Sequence, residues 1–355
     1  MTSKWNKKYW LVFLSLILLG QSCSISLGSN AVADGGVFRS DDGGQTWQQK
    51  TFVRQDKKQI QSISNVNGEV VAFDPQNKDT LYLGTRENGV WRTTNGGDSW
   101  TPTSLKSGDY PCLQFDPSNT SILYTVSGPL VLKSLDAGQS WQTLYTESQP
   151  EQTVTCVAVD PLHGNTVWVV TSGGKILLSD DYGHNWTLVH TIPSGVVRAM
   201  EVLKNGSGTL AIFTKTNGIF LGTGRGSAWE DLSVNLQAFP GATDIRSVDL
   251  VEMAAERWFL GTANGLLSSS DQGKNWTSIP TLLTPQSIPV NAVAVNPENG
   301  NEIFLTVNQK LHHTRDGGAT WSVTTLPTSR LPVILAFDPH QTDRLFFSTL
   351  KIKKK

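Results

Sequence analysis

Short apolar runs alternate with turn residues from about residue 35 to residue 350 of this 355-residue chain. One type of run ends in an Asp-Pro or Asn-Pro turn, and its copies are VVAFDP (70–75), CLQFDP (112–117), CVAVDP (156–161), AVAVNP (292–297) and ILAFDP (334–339). A second apolar run follows each copy, and a glycine-containing turn leads to a third. Runs of this length, bounded by Gly, Pro, Asn and Asp, predict β-strands. We therefore expect an all-β protein.

Alternate positions within the first run sort by size. Small or polar side chains form one face and larger apolar side chains form the other; the members are Ala72, Gln114, Ala158, Ala294 and Ala336 against Phe73, Phe115, Val159, Val295 and Phe337. Neither face is charged, as expected of strands that are covered on both sides. Each small sheet is therefore predicted to pack between two neighbours.

A turn that ends in tryptophan occurs seven times. Its tryptophans are Trp47, Trp100, Trp141, Trp186, Trp229, Trp276 and Trp321, which recur every 41 to 53 residues. A period near 45 residues with several short strands in each unit is typical of β-propeller blades.

The two ends of the repeat region are incomplete units. The region begins with a third strand, GVFRS (36–40), and ends with a first and a second strand, ILAF (334–337) and LFFST (345–349). We expect the last blade to combine strands from both termini, which closes the ring and leaves no free sheet edge inside it. The prediction is a single seven-bladed β-propeller of four-stranded antiparallel blades, with an open solenoid as the alternative.

The first 23 residues have the layout of a secretory signal peptide, in which lysines precede the apolar run 10–20. Segment 19–23 resembles the lipobox of bacterial lipoproteins, although Gly20 replaces the usual leucine. This resemblance implies a lipid on Cys23 and a protein anchored to a membrane, facing the periplasm or the cell surface. Cleavage after Ala33 would instead release a soluble periplasmic or secreted protein, and an uncleaved anchor is the third possibility.

The predicted domain organisation follows from these segments. Residues 1–23 form the signal peptide, 24–34 a flexible tether, 35–350 the propeller and 351–355 a basic tail.

Two further cysteines, Cys112 and Cys156, occupy equivalent positions in adjacent repeat units. An oxidising compartment would permit a disulfide between them. We expect adjacent inner strands to lie too far apart for the Cα separation of about 4.4–6.8 Å that a disulfide requires. The sequence therefore favours two buried thiols and leaves the disulfide as the alternative.

The acidic residue of each tryptophan turn is predicted to be structural, because Asp and Asn side chains accept hydrogen bonds from nearby backbone N–H groups. The residues at this position are Asp42, Asn95, Asp136, Asp181, Asp271 and Asp316. The fifth copy has Gly224 there and still keeps Trp229. A turn that persists without its carboxylate argues against metal binding or catalysis.

The motif Ser/Thr-x-Asp-x-Gly-x-Thr-Trp is similar to the Asp-box (BNR) repeat of sialidases, sortilin-type receptors, xyloglucanases and photosystem II assembly-factor propellers. The resemblance covers residues 35–350, and the layout is closest to photosystem II stability/assembly-factor-like and sortilin/xyloglucanase-type seven-bladed propellers. It implies that the Asp-boxes lie at the blade periphery, away from the ligand face. Since the superfamily includes hydrolases and binding proteins, the fold does not determine the function.

A glycoside hydrolase needs two non-equivalent carboxylates at a defined separation. Most acids of this chain recur in turns, and the non-repeated Glu69, Asp109, Asp244 and Asp249 are expected toward the channel without forming a recognisable pair. The six histidines are scattered, so we predict no metal site and no cofactor. A net charge of −1 gives no indication of nucleic-acid binding.

Residues that break the repeat are the candidates for binding. Arg198 and Arg246 stand immediately before the first strands of adjacent units, where two guanidinium groups could hold a carboxylate or an acidic peptide. A solvated pair is the alternative. The rest of the predicted upper rim consists of Glu69, Arg86, Tyr110, Asn291 and Arg330.

A basic stripe is the second candidate. Arg39, Arg92 and Lys133 precede the tryptophan turn in three successive units, which suits docking of protein or lipid. Charges that guard a sheet edge are the alternative.

These observations predict an exported, non-catalytic protein-interaction platform of the cell envelope. We expect a monomeric ring that binds an envelope or membrane protein and assists the assembly or stability of a membrane complex. The alternatives are a glycan-binding or glycoside-hydrolysing propeller and a structural cell-surface protein.

Overall fold

The computed structural model describes residues 33–56, 59–252, 256–282 and 289–352. Within them the chain forms thirty strands and one short 3-10 helix, Ser233–Leu236. The strands build seven four-stranded antiparallel sheets and one two-stranded hairpin, which confirms the seven-bladed prediction. The predicted signal peptide with Cys23, tether residues 24–32 and residues 353–355 lie outside the described residues. No helix in the described part of the chain is long and apolar enough to cross a membrane.

Blades 1 to 6 follow one another along the chain. Blade 1 contains β5 (Asn67–Phe73), β6 (Leu81–Arg86), β7 (Val90–Thr93) and β8 (Thr101–Pro102). Blade 2 contains β9 (Leu113–Phe115), β10 (Leu123–Ser127), β11 (Leu130–Ser134) and β12 (Gln142–Thr146). Blade 3 contains β13 (Val154–Val159), β14 (Val167–Thr171), β15 (Lys175–Ser179) and β16 (Thr187–Thr191). Blade 4 contains β17 (Val197–Val202), β18 (Leu210–Thr214), β19 (Ile219–Thr223) and β20 (Ala228–Asp231). Blade 5 contains β21 (Ile245–Val251), β22 (Arg257–Thr262), β23 (Gly265–Ser269) and β24 (Thr277–Ile279). Blade 6 contains β25 (Ala292–Asn296), β26 (Asn299–Val307), β27 (Lys310–Thr314) and β28 (Ser322–Thr325).

Blade 7 combines strands from both ends of the propeller. Its strands are β29 (Leu331–Asp338), β30 (Gln341–Leu350), β1 (Val37–Ser40) and β2 (Gln48–Gln49). β1 pairs with β30 so that Phe38 lies opposite Phe347, and the two rings stack with centroids 4.5 Å apart. The pairing confirms the predicted closure by both termini, which gives the ring no open end.

The first strand of each blade lies innermost, because β29, β5, β9, β13, β17, β21 and β25 pack against one another around a central channel. We call the face formed by the connections between second and third strands, and between blades, the upper face. The opposite face, which carries the Asp-Pro turns and the tryptophan turns, is the lower face.

Size complementarity between strands fills the spaces of the ring. In six blades a small or polar residue of the inner strand lies opposite a large aromatic residue of the second strand, as Ala72 does with Tyr82 and Ala158 with Trp168. Tyr82 and Trp168 are buried. Burial of such rings is the main source of stabilisation in this kind of core.

In five of the seven tryptophan turns, one Asp carboxylate accepts the hydrogen bonds that hold the turn. Asp42 Oδ1 accepts from the backbone N–H of Thr46 at 2.8 Å and from Ser40 Oγ at 2.7 Å. The indole of Trp47 donates to the carbonyl of Gly44 at 3.1 Å. The same pattern recurs at Asp136, Asp181, Asp271 and Asp316, while Asn95 replaces the carboxylate in blade 1. These contacts are those of a structural turn.

The long interval between Trp47 and Trp100 has a structural origin. The hairpin of β3 (Phe52–Asp56) and β4 (Gln59–Ser62) is inserted between blades 7 and 1. The backbone N–H of Trp100 donates to Phe52 O at 2.8 Å, and its indole donates to Lys50 O at 2.8 Å. This insertion leaves Trp100 fully buried, whereas Trp47 is half-buried.

The expectation of two buried thiols is wrong. Cys112 and Cys156 form a disulfide with a Cα–Cα distance of 5.3 Å. Inner strands converge toward the channel axis, so adjacent blades come closer here than the repeat spacing suggested. The bond joins the inner edges of blades 2 and 3.

Candidate binding site at the channel mouth

A β-bulge recurs near the upper end of the inner strand. The pairing register shifts around Glu69, Thr155, Arg198, Arg246 and Val333. A bulge leaves one residue out of the ladder and redirects its side chain, and bulges are common next to functional sites. Together with Pro111 and Asn291, the equivalent residues of blades 2 and 6, these residues form what we call the mouth ring.

The mouth ring brings the predicted arginines together. Arg198 and Arg246 stand on neighbouring inner strands, and their charges influence each other. Arg86 belongs to the same group across the mouth, where its Nε donates to Glu69 Oε1 at 2.7 Å. Arg246 Nη2 lies 3.2 Å from Asp244 Oδ2.

Arg198 is the unpaired cation of this group. Among the described residues it makes no hydrogen bond or ion pair, and its side chain is exposed. Arg198 nevertheless stands within the mouth, where partial burial lowers the pKa of its guanidinium. The charge of Asp244 raises this pKa, and the charges of Arg246 and Arg86 lower it further. Arginine remains protonated in such surroundings. Three guanidinium groups therefore face the two carboxylates of Glu69 and Asp244, which leaves an excess positive charge.

Two further donors at the mouth lack partners among the described residues. They are Arg246 Nε and the side-chain amide nitrogen of Asn291, which is 8% exposed. Buried polar groups are usually hydrogen-bonded, so orphaned donors in one place call for an explanation.

Two residues predicted for the rim have other contacts. Tyr110 is buried, and burial raises the pKa of its hydroxyl, which Ser127 approaches. Arg330 is also buried: its guanidinium donates to Asn65 O at 3.2 Å and to Val66 O at 3.4 Å, and it lies 3.8 Å from Asp34. Arg330 therefore fastens the start of the propeller to the loop before blade 1.

Two residues of the basic stripe contact the next blade, and the third contacts its own blade. Arg39 Nη1 donates to Gly96 O of the next blade at 2.6 Å, and Lys133 Nζ donates to Tyr182 O at 3.1 Å. Arg92 lies over the ring of Tyr82, with 5.7 Å between its Cζ and the ring centroid. Arg39 and Lys133 are buried, and their hydrogen bonds connect each of them to the next blade.

A second polar group lies deeper in the channel. The seven equivalent residues of what we call the waist ring are Ala72, Gln114, Ala158, Glu201, Asp249, Ala294 and Ala336. Glu201 and Asp249 thus bring two carboxylates to adjacent blades. Sequence reasoning named Asp249 but missed Glu201. Counting three residues on from Arg198, as from Glu69 to Ala72, would have identified Glu201.

Both carboxylates line a cavity of about 900 Å³ that occupies the lower part of the channel. Apolar inner-strand residues such as Val71 and Leu335 form much of its wall. No cluster of three or more His, Cys, Asp or Glu suited to a metal ion occurs within the described ranges.

The closed ring, the four-stranded blades and the repeated carboxylate turns define an Asp-box β-propeller. The family model of the photosynthesis system II assembly factor YCF48 matches residues 65–223, and that of the BNR/Asp-box repeat matches residues 38–49. The chain thus carries the Asp-box (BNR) repeat, and its layout resembles that of YCF48 and the xyloglucanases.

Individual proteins show the same two resemblances. A xyloglucanase of Paenibacillus sp is 25% identical over 89% of this chain, which spans 29% of that enzyme. The chloroplastic photosystem II stability/assembly factor HCF136 of Arabidopsis thaliana is 26% identical over 50% of the chain and 45% of its own length. The solved structure of YCF48 bound to D1 peptide superimposes with a TM-score of 0.62 at 17% identity, covering 86% of this chain and 100% of that one. The chain thus spans less than half the length of these two curated relatives.

Proposed function

We propose that this protein is a non-catalytic interaction platform whose channel mouth binds an acidic segment of a partner protein and thereby assists a membrane-associated assembly. The observation that carries the proposal is the group of Arg86, Arg198 and Arg246, in which Arg198 has no partner among the described residues. Guanidinium groups form strong, charge-assisted hydrogen bonds with carboxylates.

The surroundings of the arginines support a peptide ligand. The orphaned donors of Arg246 and Asn291 add hydrogen-bonding capacity for carboxylate or backbone carbonyl oxygens. An assembly-factor family model covers blades 1 to 3 and most of blade 4, and one similar solved structure holds a peptide.

Binding can be measured with a fluorescent peptide that ends in three glutamates and with its glutamine counterpart. We expect the wild-type protein to bind the glutamate peptide more tightly, with an affinity that falls as salt is added. The double variant Arg198→Glu/Arg246→Glu should lose this binding while keeping its thermal midpoint, because the mouth is not part of the core.

A matched control is Lys78→Glu/Lys274→Glu, which makes the same change in charge at exposed positions of the lower face. It should bind as the wild type does. Equal binding by the wild type and the mouth variant would refute the site. If the mouth variant loses binding, affinity capture from crosslinked membranes with the same proteins would identify the natural partner.

We further propose that the protein is exported and anchored through lipid on Cys23. The support is the layout of residues 1–23, in which a basic start and an apolar run precede the cysteine. Labelled palmitate should enter the wild-type protein and not Cys23→Ser, and the variant should leave the membrane fraction. A mature chain that begins at Asp34 would support the soluble form instead.

A glycan-hydrolysing function is the second candidate. It rests on the similarity to xyloglucanases and on the two carboxylates that the waist ring places on adjacent blades. A carboxylic acid that retains its proton near neutral pH can act as a general acid. Reducing-sugar release from xyloglucan that disappears in Glu201→Gln would favour this function over the platform.

A further inference from the structure

Blades 4 and 5 depart from the repeat along the whole channel wall. Arg198 and Arg246 occupy the mouth ring, and Glu201 and Asp249 occupy the waist ring. At the lower end, where the other five blades carry proline, Lys204 and Glu252 form an ion pair with 2.9 Å between Nζ and Oε2.

Few charged groups lie near Glu201. Its strand β17 packs against β13, β18 and β21, and neither β13 nor β18 carries a charged side chain. The charges that act on Glu201 are those of Asp249, Lys204 and Glu252. Within the described residues Glu201 makes no hydrogen bond or ion pair. Its side chain is exposed to the channel and lines the cavity there.

Asp249 connects the next pair of blades. Its Oδ2 accepts a hydrogen bond from the backbone N–H of Val295 in blade 6 at 2.6 Å. Of the strands beside it, β25 has no charged side chain, and Arg257 of β22 is directed to Gly300 O at 3.0 Å. Lys204 is therefore the cation next to the carboxylate pair, and it is bound to Glu252.

Enclosure of two like charges favours their protonated forms. Burial raises the pKa of Glu201 to about 7, and the charge of Asp249 adds to this increase. Burial also raises the pKa of Asp249 to about 7, against the opposing effect of the Val295 N–H. Both carboxyl groups therefore titrate closer to neutral pH than ordinary carboxyl groups do.

We propose that Glu201 and Asp249 form a proton-dependent joint between blades 4 and 5. Protonation removes the repulsion between the two carboxylates of these neighbouring inner strands, and ionisation of both groups restores it. Because each pKa is raised in the folded state, the stabilisation is fully present below the unfolded values near pH 4 and is lost as the pH rises through about 7. The proposal does not depend on the proposed function.

The test compares urea-unfolding midpoints at about pH 5 and about pH 8.5. We expect the wild-type midpoint to be lower at the higher pH. Glu201→Gln, which imitates the protonated acid, should reduce the difference between the two midpoints by at least half. Glutamine already stands at the equivalent position of blade 2, so the side chain fits this place in a blade.

The matched control is Glu230→Gln, which removes the same charge from an exposed position on the outer strand of blade 4. Glu230→Gln should show the same difference between the two urea midpoints as the wild-type protein. The histidines that titrate in this pH range are present in all the proteins, so they do not affect the comparison. Should Glu201→Gln not fold, Glu201→Ala serves the same comparison, since alanine occupies four of the seven waist positions. A Glu201 variant with the full wild-type difference would overturn the proposal.

Discussion

The guanidinium of Arg39 in the closing blade donates to the backbone carbonyl of Gly96 in blade 1, with 2.6 Å between Nη1 and O. The same group lies 3.1 Å from Asp98 Oδ1 and 2.9 Å from Asp41 Oδ2. A residue that seemed suited to docking therefore joins the blade that closes the ring to its neighbour.

Arg39→Ala should lower the free energy of unfolding by about 2–3 kcal/mol, because it leaves the buried Gly96 carbonyl without its charged donor, whereas Asp98 keeps its contact with Lys50. Arg54→Ala is the control, since that arginine is 64% exposed and pairs with Asp56 in the hairpin. The control should change stability by less than about 0.5 kcal/mol. Equal losses in urea unfolding would argue against a special role for the contact between the blades.

Trp100→Ala should cost about 3–5 kcal/mol, since it removes a fully buried indole. Trp186→Ala removes a half-buried indole whose Nε1 has no partner among the described residues, so its cost should be smaller. Thermal unfolding of the two variants gives the comparison. If the Trp186 variant is destabilised as much as the Trp100 variant, the burial of the indole does not determine how much each tryptophan contributes to stability.

Acid should weaken the tryptophan turns. Hydrogen bonds from the side chain and backbone of Thr46 lower the pKa of Asp42 to about 2. The resulting stabilisation is present above the unfolded value near 3.9 and is lost as the pH falls through about 2. Asp42→Asn should therefore show a shallower decline of stability between about pH 4 and pH 2, measured by circular dichroism.

Asparagine already holds this position in blade 1, where Asn95 Oδ1 accepts from Ser99 N at 2.9 Å, so the Asp42→Asn turn should still form. The exposed Asp343→Asn is the control and should follow the wild-type curve. An Asp42→Asn curve that also matches the wild type would mean that the turn carboxylate does not contribute to acid stability.

Cys112→Ala/Cys156→Ala should lower the free energy of unfolding by about 2–4 kcal/mol under oxidising conditions, because the bond closes a loop with a sequence separation of 44 residues. Alkylation of the unfolded wild-type protein before and after reduction, followed by mass spectrometry, shows whether the bond is present. Two thiols that are both alkylated without reduction would contradict the disulfide.

The positions of the mouth ring could be predicted because they repeat. Arg198 and Arg246 lie at the equivalent bulge of neighbouring inner strands, and any ring of equivalent blades must place equivalent residues at one end of its channel. Arg330 has no counterpart of this kind, and its contacts with Asn65 and Asp34 depend on how the start of the chain folds back.

The sequence by itself determined the all-β class, the number of blades and the closure by both termini, because these depend on the period of the repeat and on the strands present at its ends. The tertiary structure alone decided which side chains meet across blades. The bond between Cys112 and Cys156 and the contact of Arg39 with Gly96 both depend on distances between neighbouring blades. Those distances follow from the convergence of the inner strands and from the packing of aromatic side chains between the blades. The spacing of the repeat in the sequence specifies neither of them.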